Sequence, residues 1–117
     1  METLLVDNAI ADQFLPVVAK ELAAKGVELR VDEIGLEIVK GQDLKAKAAT
    51  EEDWSAEYLD LILSIRVVDG VDAAIEHINT YGSGHSDSIV TADATAAQRF
   101  MAGVDSAAVY WNASTRF

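Results

Sequence analysis

Leu59-Asp60-Leu61-Ile62-Leu63-Ser64-Ile65-Arg66-Val67-Val68 is the stretch on which the fold turns. Leu, Ile and Val occupy seven of its ten places, and such a short, nearly continuous apolar run is expected of a strand covered on both faces at the centre of a parallel sheet. Downstream, Val71, Ala74, Ile75 and Ile78 fall on one helical face, with Asp69 or Asp72 to start it and Tyr81-Gly82 to end it. A strand is predicted at Ser88 to Thr91. Asp93 then opens a helix with Ala97, Phe100, Met101 and Val104 facing inward and Gly103 at its end, and Ala107 to Trp111 returns to strand. Strands separated by helical segments require crossovers, so this βαβαβ series implies a mostly parallel sheet with helices on its faces.

Upstream, Thr3-Leu4-Leu5-Val6 reads as a strand and Asp7 or Asn8 as the cap of a following helix. That helix carries the stripe Ile10, Phe14, Val17, Val18 and Leu22 and stops at Gly26. Pro16 is expected to kink or restart it, since its ring removes a donor and clashes with the preceding turn. Val27 to Val31 alternates as a half-exposed strand with Glu28 and Arg30 toward solvent. Gly35 to Val39 has strand character, and Leu44 to Ala49 reads as an irregular surface excursion. The expected architecture is α/β, a three-layer αβα arrangement around a mostly parallel sheet.

The chain has 117 residues, a soft prior for a single domain. Nine Lys and Arg against twenty Asp and Glu give a net charge of −11, spread over both halves, which argues against nucleic acid and anionic membrane as partners. No apolar stretch reaches the ~18 residues of a membrane span and no signal peptide opens the chain, so a cytoplasmic setting is expected. Without cysteine there is no disulfide, no thiolate ligand and no cysteine nucleophile among these residues. Two histidines at unrelated positions, His77 and His85, argue against a metal site. His77 is expected to be exposed on its helix.

Three segments could carry chemistry. Tyr81-Gly82-Ser83-Gly84-His85-Ser86 has the glycines and hydroxyls of an anion cradle but matches no phosphate-loop spacing, and the expected role is a helix cap and tight turn. Asn112-Ala113-Ser114-Thr115-Arg116 offers an amide, two hydroxyls and a guanidinium within five residues, suited to a carboxylate or phosphate. Trp54 to Asp60 is acidic and aromatic, with carboxylates that could accept from ribose hydroxyls or simply cap and solvate.

Taken together, Met1 to Val6, Trp54 to Leu63, Ala74 to Asn79, Tyr81 to Asp87, Asp105 to Tyr110 and Asn112 to Phe117 resemble gamma-glutamyl phosphate reductase (glutamate-5-semialdehyde dehydrogenase), of the aldehyde dehydrogenase superfamily. The resemblance covers nearly the whole chain, most loosely Gly35 to Ala49. It implies an aldehyde dehydrogenase-like catalytic domain, present in part over residues 1–117. It also implies the family reaction, NADPH-dependent reduction of L-glutamyl 5-phosphate to L-glutamate 5-semialdehyde and phosphate in proline biosynthesis. The family's cysteine nucleophile stands in a Cys-Asn-Ala segment just ahead of the residues matching Met1, and its dinucleotide-binding domain lies outside the matched stretch. The chain is therefore expected to be inactive by itself, without a tightly bound NADP(H) and with sheet edges prone to self-association into a homo-oligomer.

Residue by residue, the resemblance aligns Glu57 with the glutamate that hydrogen-bonds the nicotinamide ribose, although Leu59 stands where an aromatic is usual. It aligns Ser114, Thr115 and Arg116, with Asn112 at the head of the run, with a loop that anchors the carboxylate and amino group of the small-molecule substrate, glutamyl phosphate. The alternative is a free-standing acidic α/β module that binds an anionic metabolite or a protein partner through Asn112 to Arg116. A receiver-type signalling domain is discounted, since no paired aspartates follow the first strand.

Overall fold

A computed structural model describes residues 2–42, 44–58 and 60–112. It divides into two compact units, one up to Gly70 and one from Val71 onward. The first holds β1 (Thr3–Asp7), α1 (Asn8–Ala24), β2 (Glu28–Val31), α2 (Glu33–Val39), β3 (Ala46–Ala48), a 3-10 turn (Glu51–Trp54) and β4 (Ile62–Val68). The strands form a sheet of order β1-β4-β2-β3, and every pairing is parallel. β4, the apolar run of the opening stretch, is central, with Ile65 opposite Leu4 on one side and Val31 on the other.

One face of this sheet is apolar. Val6, Leu29, Val31, Leu63, Ile65 and Val67 pack against Ala11, Leu15 and Ala19 of α1 and Val39 of α2 in one buried cluster. Leu15, Leu29 and Ile65 are wholly buried, each worth about 1.5–3 kcal/mol relative to an exposed side chain. Asp7 caps α1 by accepting from Ala9 N at 3.2 Å. The helix runs unbroken through Pro16. The burial of its inner face thus offsets the lost donor that was expected to interrupt it. That inner face is Ala11, Leu15 and Ala19, with Val18 and Leu22 of the expected stripe partly buried against the core, whereas Ile10, Phe14 and Val17 of that stripe are exposed.

Gly35 to Val39 is helix rather than strand. Asp32 Oδ1 accepts from Gly35 N at 3.1 Å and from Val67 N at 3.2 Å, so one carboxylate caps α2 and ties it to β4. Gly35 fits because a Cβ there would meet Val31 Cγ1 at 2.5 Å. The expected surface excursion contains β3, a three-residue edge strand paired with β2.

The second unit holds α3 (Gly70–Tyr81, whose first residue belongs to the first unit), β5 (Ser86–Ile89), α4 (Ala94–Gly103) and β6 (Ala108–Trp111). β5 and β6 pair in parallel as a separate two-stranded sheet, and β5 starts two residues before its expected position. Asp93 caps α4 through Thr95 N at 2.9 Å. Asn79 joins the two helices, donating to Gly103 O at 2.9 Å and accepting from Asp105 N at 2.8 Å. His77 is buried, not exposed, with its ring 4.8 Å from that of Tyr81. Among the described residues no helix is long and apolar enough to cross a membrane.

Candidate functional site

The second face of the four-stranded sheet is polar at its middle, where the residues alternating with the apolar set are Glu28 and Arg30 on β2 and Ser64 and Arg66 on β4, with Ile62 and Val68 at the two ends of β4. Arg30 and Ser64 are register partners, and Ser64 also faces Thr3 on β1. The chain between β3 and β4 lies over this face. Trp54 lies 5.4 Å from the Arg66 guanidinium and Tyr58 5.3 Å from that of Arg30.

Asp53, at the end of the 3-10 turn and 5% exposed, organises the face. Its Oδ2 accepts from Thr50 N at 2.7 Å and Thr50 Oγ1 at 3.1 Å, and its Oδ1 accepts from Arg30 Nη1 and from the Tyr58 hydroxyl, both at 2.8 Å. Burial disfavours the charge. The Thr50 amide, the Arg30 guanidinium and the Tyr58 hydroxyl outweigh it and hold the carboxyl at about 2, so Asp53 is ionised at neutral pH. Arg30 also donates to Glu28 at 2.9 Å. Glu28 in turn lies 3.3 Å from Lys47, and Arg30 first, then Lys47, lower the Glu28 carboxyl. A shallow pocket of about 320 Å³ opens beside the network, lined by Arg30, Lys47, Thr50 and Asp53 among others.

Glu57 stands on this segment, at the amino end of β4. Its neighbour Tyr58 donates its backbone N–H to Glu2 Oε2 at 2.9 Å, and Ser64 N donates to Glu2 O at 3.0 Å. Glu2 therefore fastens the Glu57 segment to the amino end of β1. Glu57 itself is exposed and makes no hydrogen bond or ion pair to another described residue. A carboxylate so presented can accept two hydroxyl donors.

The other predicted run begins at the carboxyl end of β6. Asn112 takes φ 54°, a left-handed conformation that asparagine tolerates. Its side chain is committed to Thr91, accepting from N at 2.9 Å and donating to O at 3.0 Å, and Trp111 Nε1 donates to the same carbonyl at 3.0 Å. Asn112 thus fixes where the chain leaves the sheet. Ser114, Thr115 and Arg116 lie outside the described residues.

The Gly82 to His85 segment forms a turn into β5. Gly84 takes φ 79°, and the carbonyls of Gly84 and His85 accept from Ala107 N and Ala108 N at 2.8 and 3.1 Å. Among the described residues no group of three or more His, Asp or Glu could hold a metal ion. The Asp53 network was not singled out from sequence. Its one legible signal was Thr50 three residues ahead of Asp53, a capping pattern.

No family model matches the chain. Over 99% of its length it is 59% identical to a gamma-glutamyl phosphate reductase of Caldicellulosiruptor bescii, of which it covers 28%. Over its whole length it is 58% identical to a protein of the same name from Synechococcus elongatus, of which it covers 26%. The crystal structure of the Thermotoga maritima gamma-glutamyl phosphate reductase superposes with a TM-score of 0.92 at 53% identity, over 99% of this chain and 27% of that one. The Saccharomyces cerevisiae structure of the same name gives 0.74 at 30% identity, with 30% of that chain covered. The chain thus spans about a quarter of the length of the relatives it matches.

Proposed function

We propose that this chain, which matches a quarter-length stretch of the gamma-glutamyl phosphate reductases in both sequence and fold, supplies part of the catalytic domain of an NADPH-dependent enzyme reducing L-glutamyl 5-phosphate to L-glutamate 5-semialdehyde and phosphate. The observation that carries the reading is the fold agreement with the Thermotoga maritima structure at a TM-score of 0.92, together with 53% identity along the same residues.

In this reading the chain contributes positioning rather than the nucleophile, since it contains no cysteine. NADPH, when bound, supplies the hydride. Glu57 accepts from its nicotinamide ribose, on a loop fastened by Glu2 to the amino end of β1. Ser114, Thr115 and Arg116 grip the carboxylate and amino end of the substrate, with Asn112 setting the direction in which that segment leaves β6. These 117 residues alone turn over no substrate.

A chimera tests the reading. The 117 residues replace the matching quarter of the Thermotoga maritima enzyme, and phosphate-dependent reduction of NADP by glutamate 5-semialdehyde is followed. Activity within roughly tenfold of the parent, about 1.4 kcal/mol in barrier, is expected. A chimera that melts cooperatively but is inactive overturns the reading.

A further inference from the structure

The hydroxyl of Tyr58 sits where three groups from two elements converge. Asp53 Oδ1 is 2.8 Å away, Ser64 Oγ 2.7 Å and Asp53 O 3.3 Å, while Ser64 Oγ lies 3.1 Å from the same Asp53 carbonyl. Two hydroxyl protons serve these contacts. The carboxylate can only accept, so the contact between Tyr58 and Asp53 Oδ1 is a charge-assisted bond with the phenol as donor. With that proton committed, Ser64 is the donor across the 2.7 Å contact to Tyr58, with the Asp53 carbonyl as its second acceptor, so the phenol bridges the 3-10 turn and the central strand.

The backbone of the same residue is held as well, through its N–H on Glu2 Oε2. Tyr58 is therefore gripped at both ends, by Glu2, just ahead of β1, through its amide and by Ser64 of β4 and Asp53 through its hydroxyl, with Arg30 over its ring. Glu57, one residue away, is exposed and carries no hydrogen bond or ion pair of its own among the described residues. Whatever fixes the direction of the Glu57 carboxylate must act through its neighbours.

We propose that Tyr58 is the positioning residue for Glu57, with the network of buried Asp53 and Ser64 and half-buried Arg30 as its anchor, so that the carboxylate is set for the two ribose hydroxyls before the cofactor arrives. The inference rests on the reading of Glu57 as a ribose ligand. Preorganisation of this kind lowers the ordering cost of binding, and its loss appears in affinity.

The test uses the chimeric enzyme and reads NADPH binding by nicotinamide fluorescence, with no turnover required. Tyr58→Phe is expected to raise the dissociation constant roughly fivefold or more, by the same factor as Glu57→Gln, and the double variant to be no weaker than either single one. Multiplying effects in the double variant, or an unchanged constant in Tyr58→Phe, overturn the proposal. In the cofactor-free protein the Tyr58 amide is expected to exchange its hydrogen at least about tenfold faster in Tyr58→Phe, as a held segment becomes a loose one. Unaltered protection overturns the anchor. Should Tyr58→Phe not fold, Ser64→Ala, which keeps the phenol on Asp53, is to show the same direction at smaller size, and no change there also overturns it. If Glu57→Gln binds NADPH as tightly as the unaltered chimera, the ribose reading fails, whereas the exchange experiment still judges the anchor.

Discussion

On one face of the four-stranded sheet Leu29, Ile65 and Val67 meet Leu15 and Ala19 of α1, and on the other Arg30, Ser64 and Arg66 of the same strands meet Asp53, Trp54 and Tyr58. The first face is held by area removed from water, a force without direction. The second is held by hydrogen bonds that must be made in full, since a buried polar group left without its partner costs more than the bond contributes when present. The helical face therefore carries stability, while the polar face carries placement, and Glu57 stands at the edge of the face that carries placement.

The largest expected effect breaks the apolar face. Leu15→Ala removes a side chain with no exposed surface from between α1 and the sheet, and urea unfolding should register a loss of about 2–5 kcal/mol. A loss below about 1 kcal/mol would mean that the helix does not seal this face.

Why one face was legible and the other was not follows from the same contrast. Periodicity in Leu59 to Val68 announced β4 because an apolar residue needs only the right side of a strand. The polar face depends on contacts between residues distant in sequence, such as Arg30 with Asp53 and Tyr58 with Glu2, and no spacing rule records those. The expected exposure of Glu28 and Arg30 located the face correctly but missed its cover. Gly35 to Val39 is a short run of Leu, Ile and Val that suits strand or helix, and the Asp32 cap, which the spacing of that run does not show, settles it as helix. β3 has only Ala46, Lys47 and Ala48, and an edge strand of that kind has no pattern to read. Glu57 came from family resemblance rather than from residue physics, and the rule that ligands gather beyond the carboxyl ends of strands pointed away from its position at the amino end of β4.

A change of pH sharpens the comparison, because the buried Asp53 carboxyl belongs to the polar face and the side chains of the apolar cluster carry no charge. The Asp53 carboxyl is held at about 2 against an ordinary value of 3.8. Its folded value is thus the lower one, and the stability it lends is present in full above about pH 4 and drains away as pH falls toward 2. At roughly 1.4 kcal/mol for each unit, the amount is on the order of 2 kcal/mol. Asp53→Asn should therefore be less stable than the unaltered chain by about that much at pH 7, with the gap shrinking as both are unfolded at successively lower pH. A gap independent of pH would mean that Asp53 acts through shape alone. Leu15→Ala, by contrast, should show the same deficit at every pH.

The smallest expected effect separates the helix face that the sequence suggested from the one the sheet uses. Ile10, Phe14 and Val17 have the spacing of a core stripe and are larger than Ala11 and Ala19, yet Val17 is 61% exposed and Ala19 only 1%. Close packing explains the inversion. α1 crosses a sheet whose inner surface is already filled by Leu29, Ile65 and Val67, and alanines on either side of Leu15 let the helix come near enough to bury that one long side chain. The larger residues are left outward because there is no room for them inward. Val17→Ser, nearly neutral in helix propensity, should then change stability by less than about 0.5 kcal/mol. Ala19→Leu, the reverse intrusion, should cost about 1–3 kcal/mol by overpacking. If serine at position 17 proves the more damaging of the two, the helix turns its other side to the sheet.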